Sequence, residues 1–133
     1  ASQSAAASGH GGLLVVEGDA SSRCGISMKG VDIVVGGSVG HFSAFMAQTG
    51  HLVVCGNAGD NLGDSLYEAV IYVGGEVGSL GADCIEEEMT TTDQKTVLRL
   101  LKQARIQADA PRFRRFASAR QLYHFDIDNA GSY

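Results

Sequence analysis

Cysteine, histidine and grouped carboxylates are the residue types that hold metals, attack carbonyl carbons and move protons. The chain carries three cysteines and four histidines. Cys24, Cys55 and Cys84 form no CxxC or other close pair, which suits neither a zinc site nor a disulfide framework, so reduced thiols are expected. His10, His41, His51 and His124 are equally dispersed; no nucleophile or carboxylate pair accompanies them in the order a Ser/His/Asp triad would need. Asn57-Ala-Gly-Asp60-Asn-Leu-Gly-Asp64 has the oxygen-rich look of a calcium loop. It lacks the closing glutamate of an EF-hand and runs through no nine-residue calcium repeat. Gly74-Gly75-Glu-Val-Gly78 could cradle a phosphate, but no Gly-Lys-Ser/Thr follows. Asp19, Arg23 and Lys29 make a polar spot whose plainest reading is a turn salt bridge. Arg112-Phe-Arg-Arg-Phe116 and Leu122-Tyr-His-Phe125 could stack nucleobases, but docking on the acidic body of the same chain is the stronger reading. No catalytic, cofactor-binding or metal-ligating residue is therefore assigned.

The elements that would position these groups follow from a repeat. Leu14-Val-Val-Glu-Gly18, Ile33-Val-Val-Gly-Gly37, Leu52-Val-Val-Cys-Gly56 and Ile71-Tyr-Val-Gly-Gly75 recur at a step of 19 residues, the mark of a stacked-repeat architecture. Side chains alternate along a strand. Leu14, Ile33, Leu52 and Ile71 therefore share an inward face with Val16, Val35, Val54 and Val73, and Ala20, Val39, Ala58 and Val77 turn inward again after the glycine. A further rung is expected at Met28, Ala47, Leu66 and Ile85, and a row of small residues at Gly25, Ala44, Gly63 and Ala82. The connections are too short and too rich in glycine for crossover helices, and the Leu/Asn pattern of leucine-rich repeats is missing. The predicted fold is all-β: a parallel β-helix with 19-residue coils over residues 1–88, then a C-terminal helix and an extended tail over residues 89–133. The phase at Ala1 falls part-way through a coil, which predicts further coils upstream.

Between the inward residues, Val15, Val34, Val53 and Tyr72 form an outward apolar row, to be covered by the chain's own helix or by a partner. Thr91-x-x-Gln94 has the form of a capping box. Val97, Leu98, Leu100, Leu101 and Ala104 recur at helical spacing, so a helix is expected from about 92 to 105, ended for good by Pro111. Charge is split: residues 1–85 carry two basic and eight acidic side chains, residues 89–133 eight basic and four acidic. An acidic body argues against nucleic acid as its main partner. No apolar run approaches a membrane span, and no signal peptide is visible, so a cytoplasmic location is expected.

The Gly-x-x-Gly turns at 37–40, 56–59 and 75–78 resemble the GXGXG domain, the C-terminal right-handed β-helix of the glutamate synthase large subunit, also found in formylmethanofuran dehydrogenases. Gly18-Asp-Ala-Ser-Ser-Arg-Cys-Gly-Ile-Ser-Met-Lys-Gly30, Ser43-Ala-Phe-Met-Ala-Gln48, Gly63-Asp-Ser-Leu-Tyr-Glu-Ala69, Ser79-Leu-Gly-Ala-Asp-Cys-Ile85 and the terminal Asp128-Asn-Ala-Gly-Ser-Tyr133 look closer still to one branch. That branch is the separate β-helix subunit of glutamate synthase-like complexes, including N-methylglutamate synthase (methylamine–glutamate N-methyltransferase). The resemblance implies a cytoplasmic, hetero-oligomeric enzyme complex in which this subunit is scaffold and carries no catalytic residues. An amidotransferase-like subunit would release ammonia, and a flavin synthase-like subunit would hold FMN and an iron–sulfur cluster. It also implies further coils upstream. The same β-helix in a formylmethanofuran dehydrogenase or another glutamate synthase-like oxidoreductase is the alternative. A stand-alone ligand-binding or self-assembling β-helix is a second class.

Overall fold

Four short β-branched strands run parallel along one face: β1 (Leu13–Val16), β2 (Val31–Val35), β3 (Gly50–Val54) and β4 (Val70–Val73). The computed structural model describes residues 12–20, 22, 24–25, 28–108 and 112–119. Every β1–β2, β2–β3 and β3–β4 partner pair is 19 residues apart, as in Leu14↔Ile33, Ile33↔Leu52 and Leu52↔Ile71. The repeat therefore sets the register directly: equivalent positions stack because that is how successive coils bury their apolar side chains together. A second row of bridges, Val39↔Ala58 and Ala58↔Val77, keeps the same step. The expected parallel β-helix is the observed fold.

The interior is the expected ladder. Ile33, Leu52, Ile71, Val35, Val54, Val73, Met28, Ala47 and Leu66 are all fully buried in one apolar cluster. One rung departs from expectation. After Asp60 the step shortens to 18, seen in the bridge Leu62↔Leu80 and in the bond from Asn61 N to Ser79 Oγ. The turn that brings Met28 N to Gly25 O, Ala47 N to Ala44 O and Leu66 N to Gly63 O is made in the last coil by Cys84 N and Gly81 O. Cys84, not Ile85, is thus the fourth member of that rung, and Gly81, not Ala82, its small residue. The strict glycine spacing at 18, 37, 56 and 75 ends before this face, so it could not report the lost residue.

Gly50 shows why glycine is required in places. It opens β3 at φ +107°, and a Cβ there would land on the Val31 carbonyl of the coil below. Gly50→Ala is expected to destabilise by more than about 1 kcal/mol, because the backbone is wrong for an L residue and the space is already filled. A urea midpoint equal to wild type would contradict this.

The last coil is closed from the C-terminal side. β5 (Cys84–Glu87) leads to helix α1 (Thr91–Ala104), and the chain returns as β6 (Arg114–Ser118). β6 pairs antiparallel with both β4 and β5, giving the sheet order β1-β2-β3-β4-β6-β5. An antiparallel strand beside β4 replaces what would have been a fifth parallel coil and satisfies the backbone groups of that edge. Phe116 enters the main core and Phe113 a second apolar cluster, so the docking expected of this basic-aromatic segment is onto the chain's own β-helix. Pro111 and the stretch 120–133, including Leu122–Phe125 and the terminal phrase, lie outside the described residues, as do Ala1–Gly11.

Candidate functional site

The outward row is where the sequence leaves its main question, and α1 answers it. Val34, Val53 and Tyr72 are buried against Val97, Leu100, Leu101 and Phe113, while Val15 at the edge strand is half-buried. The row is covered by the chain's own helix and is not a free docking stripe. Positions 97, 100, 101 and 104 share the face toward the sheet, at the i, i+3, i+4 spacing of one helical side. Leu98, grouped with them in the sequence reading, lies about 100° round the helix from that face and is 54% exposed.

The helix begins one residue earlier than its capping signal suggested. Thr90 is the N-cap: its hydroxyl accepts from Asp93 N at 3.1 Å, and Asp93 Oδ2 accepts from Thr90 N at 2.9 Å. Asp93 therefore takes the reciprocal role expected of Gln94. Its second oxygen explains the choice, because Oδ1 accepts from the Tyr72 hydroxyl at 2.7 Å and from the Arg115 guanidinium. Arg115 also donates to Glu87 Oε1 at 3.1 Å. One buried carboxylate thus ties together β4, α1 and β6, with β5 joined through Arg115.

The electrostatics follow from that geometry. Burial is the largest influence on Asp93 and opposes its charge. The hydrogen bonds from Thr90, Tyr72 and Arg115 together outweigh it and hold the carboxyl below its ordinary range. Burial, reinforced by the Asp93 charge, pushes the Tyr72 phenol far above its usual value. Burial works against the Arg115 charge too, but Glu87 and Asp93 more than offset it and raise the guanidinium. All three groups are locked in the protonation states that make the bonds. On the solvent side, His51 stacks on Tyr72 with 6.1 Å between ring centroids, and its Nδ1 lies 2.9 Å from Asp32 Oδ1.

The other candidate residues serve the stack. Asp19 Oδ1 accepts from Ser38 N, Ser38 Oγ from Asn57 N, and Asn57 Oδ1 from Glu76 N, at 2.7, 2.8 and 2.9 Å. This ladder runs at the 19-residue step just after each repeat glycine, and it passes through the Asn57 of the calcium-like stretch. Asp60 bonds Ser79 Oγ, and Asp64 accepts from Ala82 N. His41 accepts from Asp60 N. Burial pushes the Cys24 thiol up to about 11, and that of Cys84 up to about 12 with help from Asp64; Cys55 is also raised by burial. Such thiols hold little thiolate at neutral pH. Among the described residues no group of three or more His, Cys, Asp or Glu could hold a metal ion, and no helix is long and apolar enough to cross a membrane. His10, Arg23 and His124 lie outside the described residues.

Sequence reasoning missed the polar lock and the ladder. Tyr72 was the visible signal for the first, as the single hydroxyl in a row otherwise made of valine. The signal for the second was a hydrogen-bonding side chain after every repeat glycine: Asp19, Ser38, Asn57 and Glu76.

Fold and site together define a parallel β-helix whose outer sheet face and last coil are closed by its own C-terminal segment. The chain is 60% identical over 96 residues to the protein named Protein GlxC of Rhizobium meliloti (strain 1021), a stretch that takes in 71% of this chain and 42% of that protein. The chain thus spans about two fifths of the length of the curated relative it matches. The β-solenoid and this likeness fit the GXGXG β-helix family that the sequence resembles. No family model matches the chain, and no solved structure does.

Proposed function

We propose that the chain is the β-helix scaffold of a glutamate synthase-like heteromeric complex, of the N-methylglutamate synthase type. Such a complex converts methylamine and glutamate into N-methylglutamate and ammonia. FMN and the iron–sulfur cluster belong to a synthase-like partner, and an amidotransferase-like partner handles the ammonia. The observation that carries this reading is how the residues of the family-like phrases are spent. Gly37, Gly56 and Gly75 close the coil turns; Ser43, Ala44 and Ala47 fill the interior; Asp64 and Cys84 hold the last coil together. The likeness to Protein GlxC supports the same family. The scaffold role passes from the outward row, which α1 occupies, to the faces that the C-terminal segment leaves open.

The reaction is tested by purifying the protein that carries this chain from its own host under gentle conditions. The fraction that contains it should form N-methylglutamate from methylamine and glutamate. If that fraction turns over neither substrate, and the N-methylglutamate-forming activity elutes elsewhere, the assignment fails.

A further inference from the structure

The coil has three faces. α1 covers the first, and the ladder from Asp19 to Glu76 occupies the second. The third, over residues 41–48 and 60–68, exposes Phe42 at 36%, Met46 at 39% and Tyr67 at 44%. Phe42 packs edge-on to Phe45 at 6.0 Å. The bonds from Met46 N to Asp64 O and from Tyr67 N to Ala47 O set these side chains on adjoining coils.

Phe42 and Met46 are also in the wrong backbone conformation for their size, at φ 56° and 53°. Left-handed backbone is costly for bulky L residues and tolerated by Asn and Gly. The next coil makes the same turn one step of 19 later with Asn61 and Ser65, at φ 58° and 56°. Phe42 and Met46 thus carry backbone strain and expose apolar surface while filling no part of the core. Strain of this kind clusters where function requires it.

The surroundings specify the occupant. From residue 30 to residue 94 the sequence has no Lys or Arg and ten acidic residues. At the β5 edge Arg114 pairs with Glu86, and Arg115 is shared between Glu87 and Asp93. On the third face Asp60, Asp64 and Glu68 rim the apolar patch, and residues 41–48 and 60–68 hold no Lys or Arg; His41 accepts from Asp60 N, and Lys29 lies one coil below Gln48. We infer that this face docks a partner protein whose surface has an apolar centre and a rim of lysine or arginine, an arrangement that also disfavours a second copy of the same acidic face. The inference rests on the multisubunit reading above and names the surface that serves it.

The test uses the protein that carries this chain, tagged and purified from its host with the subunits it holds. Phe42→Asn with Met46→Ser installs the residues that the following coil carries. The melting temperature should hold or rise, while retained partner should fall by about tenfold or more, as expected for loss of central apolar anchors. Glu68→Lys, an exposed change that leaves the core untouched, should weaken retention in a salt-dependent way. A photoreactive side chain at position 46 should cross-link to a Lys- or Arg-bearing segment of another polypeptide. Full retention in both variants overturns the inference, as does cross-linking to a second copy of this chain. A wild-type protein that brings no partner at all defeats the multisubunit reading and this inference with it. Wild-type partners that both variants still hold defeat the inference alone.

Discussion

Asp93→Ala is expected to lower the unfolding free energy by about 3–5 kcal/mol, the range for removing one partner of a buried ion pair. The carboxylate has four jobs that alanine cannot do. It caps α1 through Thr90, receives the Tyr72 hydroxyl, receives the Arg115 guanidinium, and so joins the helix to β4 and β6. Removing it leaves the hydroxyl of Tyr72, a side chain 1% exposed, without its acceptor, and leaves Arg115 with only Glu87 and the Tyr72 phenol oxygen. An unsatisfied buried group costs its full desolvation. Urea titration followed by circular dichroism reads this directly; a loss under about 1 kcal/mol, within the range of an exposed salt bridge, would show the lock to be ornamental.

The same carboxylate gives the chain an acid limit. Its folded pKa is held below its unfolded one, so the folded state binds fewer protons through this group. Its contribution is therefore present above the ordinary carboxylate range of about 4 and is lost as pH falls through the lower, folded value. The stability difference between wild type and Asp93→Asn should be constant near neutrality and shrink only below that range. A difference that changed between pH 6 and 8 would place the titrating group elsewhere.

Leu100→Ala should cost about 2–5 kcal/mol, since a fully buried leucine is removed from a packed contact. Leu100 sits at 0% exposure where α1 lies over Val34, Val53 and Tyr72. The helix cannot move inward to close the void without straining the lock at its N-terminus and Phe113 on the other side. The exposed Leu98, on another side of the helix, supplies the control: Leu98→Ala should change stability by no more than about 0.5 kcal/mol. Equal losses at the two positions would mean that α1 does not lie on the sheet with this face.

How far the sequence reads follows from these elements. The parallel register, the inward ladder and the helix were legible because each is a periodic property, at 19 residues or at helical spacing, and burial enforces the period. The shortened last coil was not, because one deleted residue is invisible unless Gly81 is seen to replace Ala82 in phase. The cover of the outward row stayed open for a different reason: an apolar stripe states that something must lie on it, and says nothing of which chain supplies it. The lock on Asp93 depends on three residues from β4, α1 and β6 that no local pattern brings together. The exposed Phe42 and Met46 look like core residues in a sequence, and only their left-handed backbone and exposure set them apart.

The central proposal for this chain is that it is a scaffold that joins partners and not a catalyst in itself. The direct measurement is reconstitution of the synthase-like and amidotransferase-like polypeptides with and without the protein that carries this chain, followed by size-exclusion chromatography and assay of methylamine-dependent N-methylglutamate formation. A scaffold should give one assembly containing all components, flavin eluting with the synthase-like polypeptide, and loss of the assembly when this protein is left out. Partners that assemble and turn over equally well without it, or saturable FMN binding and turnover by this protein alone, would contradict it.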